Sequence, residues 1–246
     1  MRWLWHCAKR VHDAGQHGTR HWEHAREITF EAQGGIVEPG KDQIPGTSTD
    51  WNVIQNFAAV KNNDSQIIFS SNDMPLVHLG GLNIGEFNYV AKPENTYIFS
   101  WPLNNYWVTN FRASQDGEFK WSYTITSAKT NTNEKSYRFG YESKIPITAR
   151  VFPEGKQINQ NFSRSLLTLN DDNVILVSAM PFVSTQKVIL HLKEINGLSR
   201  DISLNNIINN PNYSVYEVNV LGDKIGNSNS LTFKPYETKF VMLEIK

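Results

Sequence analysis

The residues best suited to chemistry lie between Ser100 and Tyr123, SWPLNNYWVTNFRASQDGEFKWSY. Trp101, Asn104, Asn105, Tyr106, Trp107, Asn110 and Phe111 crowd into one short run. Flat aromatic faces and planar amides are the groups that hold sugars. The ring packs on the apolar C–H face of a pyranose, and the amide offers a donor and an acceptor to neighbouring hydroxyls. The same residue types also build a core strand with asparagines at its turn, and the residues alone leave both readings open. Asn104, Asn105, Tyr106, Trp107 and Asn110 are the candidate substrate contacts.

Other constellations are weaker. His17, His21 and His24 fall at i, i+4 and i+7, so a helix would place three imidazoles on one face, where they could hold zinc. Gly15 and Gly18 work against that helix, and no carboxylate joins the pattern, so no metal ligands are assigned. His78 and His191 sit in strand-like surroundings and read as packed, hydrogen-bonded histidines. The Gly-x-Ser-x-Gly elbow of a serine hydrolase is absent. No local motif marks a pair among the acidic residues as a glycosidase dyad. Gly80-Gly81 with Gly85 lacks dinucleotide-loop spacing and reads as a tight turn or bulge. No catalytic residue is assigned.

The elements that must position these groups are strands. Phe119, Trp121, Tyr123 and Ile125 alternate with Lys120, Ser122, Thr124 and Thr126, the two-residue period of a strand with one buried face. Similar runs recur at Gln66–Ser70, Tyr97–Trp101, Val174–Ala179, Lys187–Leu192, Val215–Val220 and Lys239–Ile245. Asparagine-rich and glycine-rich turns separate them. With almost no helical pattern, this predicts an all-β chain of sandwich or supersandwich type. Two β subdomains are expected, 27–155 and 162–246, with a polar boundary at Pro153–Asn161. Residues 1–26 form a separate leader, irregular or briefly helical, which holds five of the seven histidines and the single cysteine, Cys7.

Composition excludes several classes. The 246 residues carry 24 Lys plus Arg and 24 Asp plus Glu, a formal charge of zero. A nucleic-acid binder needs a basic surplus, so none is expected. One cysteine rules out a disulfide framework within the chain. No run approaches the ~20 apolar residues of a membrane helix, and Met1–Arg10 makes a poor signal peptide. The expectation is a protein without membrane contact, cytoplasmic as the chain is written. The sequons at Asn63, Asn161 and Asn212 then carry no weight.

Six segments, in order, resemble glycoside hydrolase family 38, the α-mannosidases, and within it the C-terminal β region of the bacterial-type branch. Glu38–Gly46 (EPGKDQIPG) is similar to Pro-Glu-x-Asp-Gln-x-Pro-Gly with Pro and Glu transposed. Trp51–Asn62 (WNVIQNFAAVKN) resembles the strand that follows it. Asp73–Val77 with Gly80-Gly81 resembles Asp-x-Pro-Leu-Val-x-x-Gly. Asn104–Phe111 (NNYWVTNF), then Gln115 and Gly117, resembles the NNYWxTNY…QxG signature. Tyr137–Tyr141 (YRFGY) and Phe233–Ile245 (FKPYETKFVMLEI) match later landmarks.

The resemblance covers about residues 27–246. It implies a retaining exo-mannosidase acting on α-mannoside carbohydrate, built from an N-terminal catalytic barrel, a helical domain and these β domains. It places an aspartate nucleophile, an acid/base carboxylate and zinc in the barrel, and none of those motifs is matched here. His12-Asp13 is adjacent, not the spaced His-x-Asp of a zinc ligand pair. The chain then reads as the C-terminal portion alone, without cofactor and inactive by itself, with the barrel as its partner. On that reading a truncated, split or mis-started gene is the expected source. A non-catalytic carbohydrate-binding module and a purely structural interaction domain are the alternatives.

Overall fold

The computed structural model describes residues 27–82, 85–91, 93, 95–103, 110, 114, 116–145, 147–149, 165–182, 184–208, 212–225 and 229–246. The leader, residues 104–109 and the expected boundary at Pro153–Asn161 lie outside them. The chain divides into two compact units, Met1–Ile147 and Thr148–Lys246. Both are built from antiparallel sheets, so the all-β sandwich expectation holds.

Among the described residues the first unit has eight strands: β1 (Glu27–Ala32), β2 (Gly35–Val37), β3 (Asn52–Val53), β4 (Ala58–Lys61), β5 (Gln66–Ser71), β6 (Leu76–Leu79), β7 (Ile98–Ser100) and β8 (Tyr123–Ala128). Five form one sheet in the order β2-β1-β4-β5-β8, and three form another, β3-β6-β7. Alternation along each strand explains the packing. Ile28 and Phe30 of β1, Ala58 and Val60 of β4, and Phe69 of β5 share one face of the large sheet. They meet Ile54, Val77, Leu79 and Ile98 from the smaller sheet and its approach. This is the sandwich core.

The opposite face of the large sheet is also buried, and around Ala59 and Ile68 it is largely polar. It carries Thr29, Glu31, Lys61, Gln66 and Ser70. Helix α1 (Asn133–Lys144) lies near it. The Thr132 side chain caps the helix by accepting from the Lys135 N–H. Gln66 fastens its first turn: its Nε2 donates to the Thr132 carbonyl, and its Oε1 accepts from Ser136 Oγ at 2.7 Å. Tyr137 stacks edge-on against Phe57 at 5.2 Å. At the far end, Lys144 Nζ donates to the Gln55 carbonyl. Burial and the nearby Glu31 carboxylate push the Tyr141 hydroxyl up to about 12. Sequence periodicity gave no sign of α1, because its buried residues are Ser136, Tyr137 and Gly140, which make no apolar stripe.

Lys61 is buried on this face and donates to Asn133 Oδ1 at 2.5 Å. Burial holds its ammonium below the usual lysine range, with Glu27 and Glu38 partly opposing the shift. The sign follows from proton counting. Between the lowered folded value and 10.5, the unfolded chain holds a proton that the folded chain has released, so this residue makes stability rise with pH. Below that window both states are protonated and the dependence vanishes. Urea unfolding of the parent and Lys61→Met across that range should therefore show the parent gaining on the variant as pH increases. A flat difference would contradict it.

The second unit contains β9 (Val174–Phe182), β10 (Ser184–Glu194), β11 (Arg200–Ser203), helix α2 (Leu204–Ile207), β12 (Tyr213–Val218), β13 (Ser230–Phe233) and β14 (Thr238–Ile245). One sheet runs β12-β14-β10-β9 and the other pairs β11 with β13. Leu190, Leu192, Val241 and Leu243 from the first face Ile202, Leu231 and Phe233 from the second, with Leu204 and Ile207 of α2 closing one side. The buried Glu194 carboxylate accepts from the backbone N–H groups of Asn196, Gly197 and Tyr236, which ties two turns together.

The expected strand Phe119–Thr126 begins later, at Tyr123. Its partner β5 ends at Ser71, which pairs with Tyr123, so residues before Tyr123 have no ladder to join. Phe119 and Trp121 stack on each other instead, with ring planes 2° apart and centroids at 5.7 Å. The single buried face expected there is also absent, since Phe119 and Ile125 are exposed. Gly80, read as a turn, adopts a left-handed φ of 88° directly after β6.

Candidate functional site

Four of the five sequence candidates, Asn104, Asn105, Tyr106 and Trp107, lie outside the described residues. Asn110 is exposed at a bend. Their neighbour Trp101, just after β7, is described, and it points to a different place.

Trp101 packs edge-on against Trp51, with ring centroids 5.6 Å apart and planes at 81°. Trp51 precedes β3 and lines a groove in the first unit with a cavity volume of 690 Å³. That falls within the ~300–1,000 Å³ typical of small-ligand sites. Phe30, Ala32 and Val37 from β1 and β2 line it on one side, and Asp42, Gln43, Thr47 and Ser48 supply polar lining.

Local sequence explains that wall. Gly40 takes a φ of 80° and runs so close to the Ala91 carbonyl that a Cβ would sit 1.7 Å from its oxygen. The turn is closed by Glu38 N–H donating to Asp42 Oδ2 at 2.8 Å and by Lys41 N–H donating to the Glu38 carbonyl at 3.1 Å. Gly46 N–H donates to the Tyr89 carbonyl at 2.7 Å and pins the other end.

A relay of bonds then sets the amide orientations. Gly40 N–H donates to Gln43 Oε1 at 3.3 Å, so Gln43 Nε2 is the donor, and it donates to Asn52 Oδ1 at 2.8 Å. Asn52 Nδ2 is left as a donor without a partner among the described residues. Gly34 N–H donates to Gln55 Oε1 at 2.7 Å, which leaves Gln55 Nε2 in the same position. Among the described residues the lining contains one carboxylate, Asp42, and no lysine, arginine or histidine.

Sequence reasoning missed this site as a site. Asp42, Gln43, Trp51 and Asn52 were quoted only as family landmarks. The usable signal was the planar amides and the tryptophan flanking the Pro- and Gly-rich loop.

His78 fits its packed, hydrogen-bonded reading, whereas His191 is packed but its Nε2 is buried without a hydrogen-bond partner among the described residues. His78 is buried, and its Nδ1 and Nε2 face the carbonyl oxygens of Asp50 and Gly81. His191 stacks on Phe240 at 4.9 Å, and burial with the nearby Lys193 lowers its proton affinity. Among the described residues no three His, Cys, Asp or Glu side chains converge as metal ligands. His17, His21 and His24 lie outside the described residues. Among the described residues, too, no helix is long and apolar enough to cross a membrane.

Two antiparallel β units, the first with a tryptophan- and amide-lined groove, define the class of architecture. No family model matches the sequence, and no curated protein matches it. Among solved structures, the fold is similar to a protein in glycosyl hydrolase family 38 from Enterococcus faecalis. The TM-score is 0.62 at 13% identity, over 91% of this chain and 25% of that one. It is also similar to an alpha-mannosidase from Enterococcus faecalis V583, with a TM-score of 0.55 at 11% identity, over 90% of this chain and 24% of the other. The chain therefore spans about a quarter of the length of these structures, and the likeness is one of fold.

Proposed function

We propose that this chain is the C-terminal β portion of an α-mannosidase-like glycoside hydrolase of family 38. In this reading it braces a catalytic barrel and completes that barrel's α-mannoside site. The observation that carries it is the likeness of fold over 91% of the chain to one quarter of a family 38 protein. The landmarks at Glu38–Gly46, Trp51–Asn62, Asp73–Val77 and Asn104–Phe111 support it, because they occur in the family's order. Asn104, Asn105, Tyr106, Trp107 and Asn110 are its proposed sugar contacts. The nucleophile, the acid/base group and the zinc belong to the barrel, so no chemical step is assigned to this chain.

The test is hydrolysis of an aryl α-mannoside with zinc added, by the chain alone and by the chain co-expressed with a family 38 barrel. The expected result is no turnover alone and turnover in the pair. Turnover by the chain alone, or a barrel equally active without it, would overturn the reading. The second reading, a non-catalytic carbohydrate-binding module, is favoured by the groove beside Trp51, which has the lining of a small-ligand site.

A further inference from the structure

We infer that the groove between Trp51 and the Asp42–Ser48 loop binds a neutral pyranose ring. The inference stands on the groove itself and does not need the barrel.

Charge narrows the ligand first. A phosphate, nucleotide or acidic sugar would enter a groove with no cationic side chain and one carboxylate, so its own charge would stay unpaired. A purely apolar ligand would cover the amide donors of Asn52 and Gln55 without replacing their hydrogen bonds. What remains is a neutral molecule with one apolar face and several hydroxyls at its rim.

The groove matches that molecule part by part. Trp51 is 37% exposed and is braced by its edge-on contact with Trp101, so its indole offers a platform for a C–H face. Asn52 is 8% exposed, and its amide is locked by the relay from Gly40 through Gln43. Its Nδ2 therefore donates without a rotamer to choose. Gln55 Nε2 is a second donor. Asp42 Oδ1 and the hydroxyls of Thr47 and Ser48 have no hydrogen bond among the described residues and supply acceptors. Adjacent hydroxyls of a pyranose donate and accept at once, which suits this mixture.

The experiment uses the full chain labelled with fluorotryptophan, the Trp51 resonance being assigned by its loss in Trp51→Phe. The probes are methyl α-mannopyranoside and methyl α-glucopyranoside. The Trp51 resonance should shift and saturate with at least one of them. By saturation-transfer NMR, Trp51→Ala should weaken binding by about tenfold or more, and exposed Gln55→Ala by a smaller factor. A Trp51 resonance unmoved by both sugars would overturn the proposal. So would a folded Trp51→Ala protein that binds like the parent. Binding at Trp51 combined with failure to complement a barrel supports the groove while removing the mannosidase reading. Complementation without binding does the reverse.

Discussion

Gly40→Ala should destabilise the first unit by more than about 3 kcal/mol and erase the groove. Two costs combine. A non-glycine residue in left-handed backbone loses roughly 1–2 kcal/mol. The larger cost is steric, since the new Cβ would lie 1.7 Å from the Ala91 carbonyl oxygen, inside any allowed contact, and both atoms belong to or hang directly from backbone. The turn must open to relieve it. Opening withdraws the Gly40 N–H from Gln43, and the amide relay to Asn52 goes with it. Gly46→Ala is the internal control. Gly46 has a similar φ of 87°, but its nearest neighbour is a Tyr89 ring carbon at 3.8 Å, so it bears the backbone cost alone. Urea titration of both variants separates the terms. Equal losses for the two would refute the steric account.

Phe57→Ala should cost the first unit about 3–5 kcal/mol. The ring is fully buried and sits where α1 meets the sheet. Its edge-on contact with Tyr137 adds to the area it buries. The Phe57 carbonyl accepts from Glu31 N–H at 3.0 Å, so the backbone beside the cavity is fixed and collapse is limited. Phe57→Leu should keep most of the stability, because it refills the volume without the aromatic contact. A loss under about 1 kcal/mol for the alanine variant would mean that α1 moves in to fill the space.

The particular elements explain what could be read in advance. Strands β5, β9, β10, β12 and β14 were legible, because each has a partner along its length and its apolar residues carry the pattern. Residues Phe119–Ser122 have equally strong alternation and no partner, so they form no strand. Pairing partners are set by distant sequence, which a local period does not contain. Helix α1 was hidden for a related reason. It is held by hydrogen bonds from Gln66 and Lys61 and by Tyr137 against Phe57, contacts that hydrophobic spacing along the helix does not encode. The candidate site was half legible. The chemistry sought, aromatic faces beside planar amides, is what the Trp51 groove provides, but the densest such run in the sequence drew attention to Asn104–Asn110. Only the approach of Trp101 to Trp51 across fifty residues reveals the second location.

The wall of the groove is the chain between β2 and β4. That stretch is closed into a loop by the ladder that pairs β1 with β4, and Glu31 extends the ladder through its bonds to Gln55 and Phe57. The entropy of closing the loop is therefore charged to the ladder, not to the loop. The end of the groove wall is thereby bonded directly to the edge of the β1–β4 ladder. A ligand held there would raise the unfolding free energy of the whole sheet, which makes a small sugar contact at the surface a lever on the core.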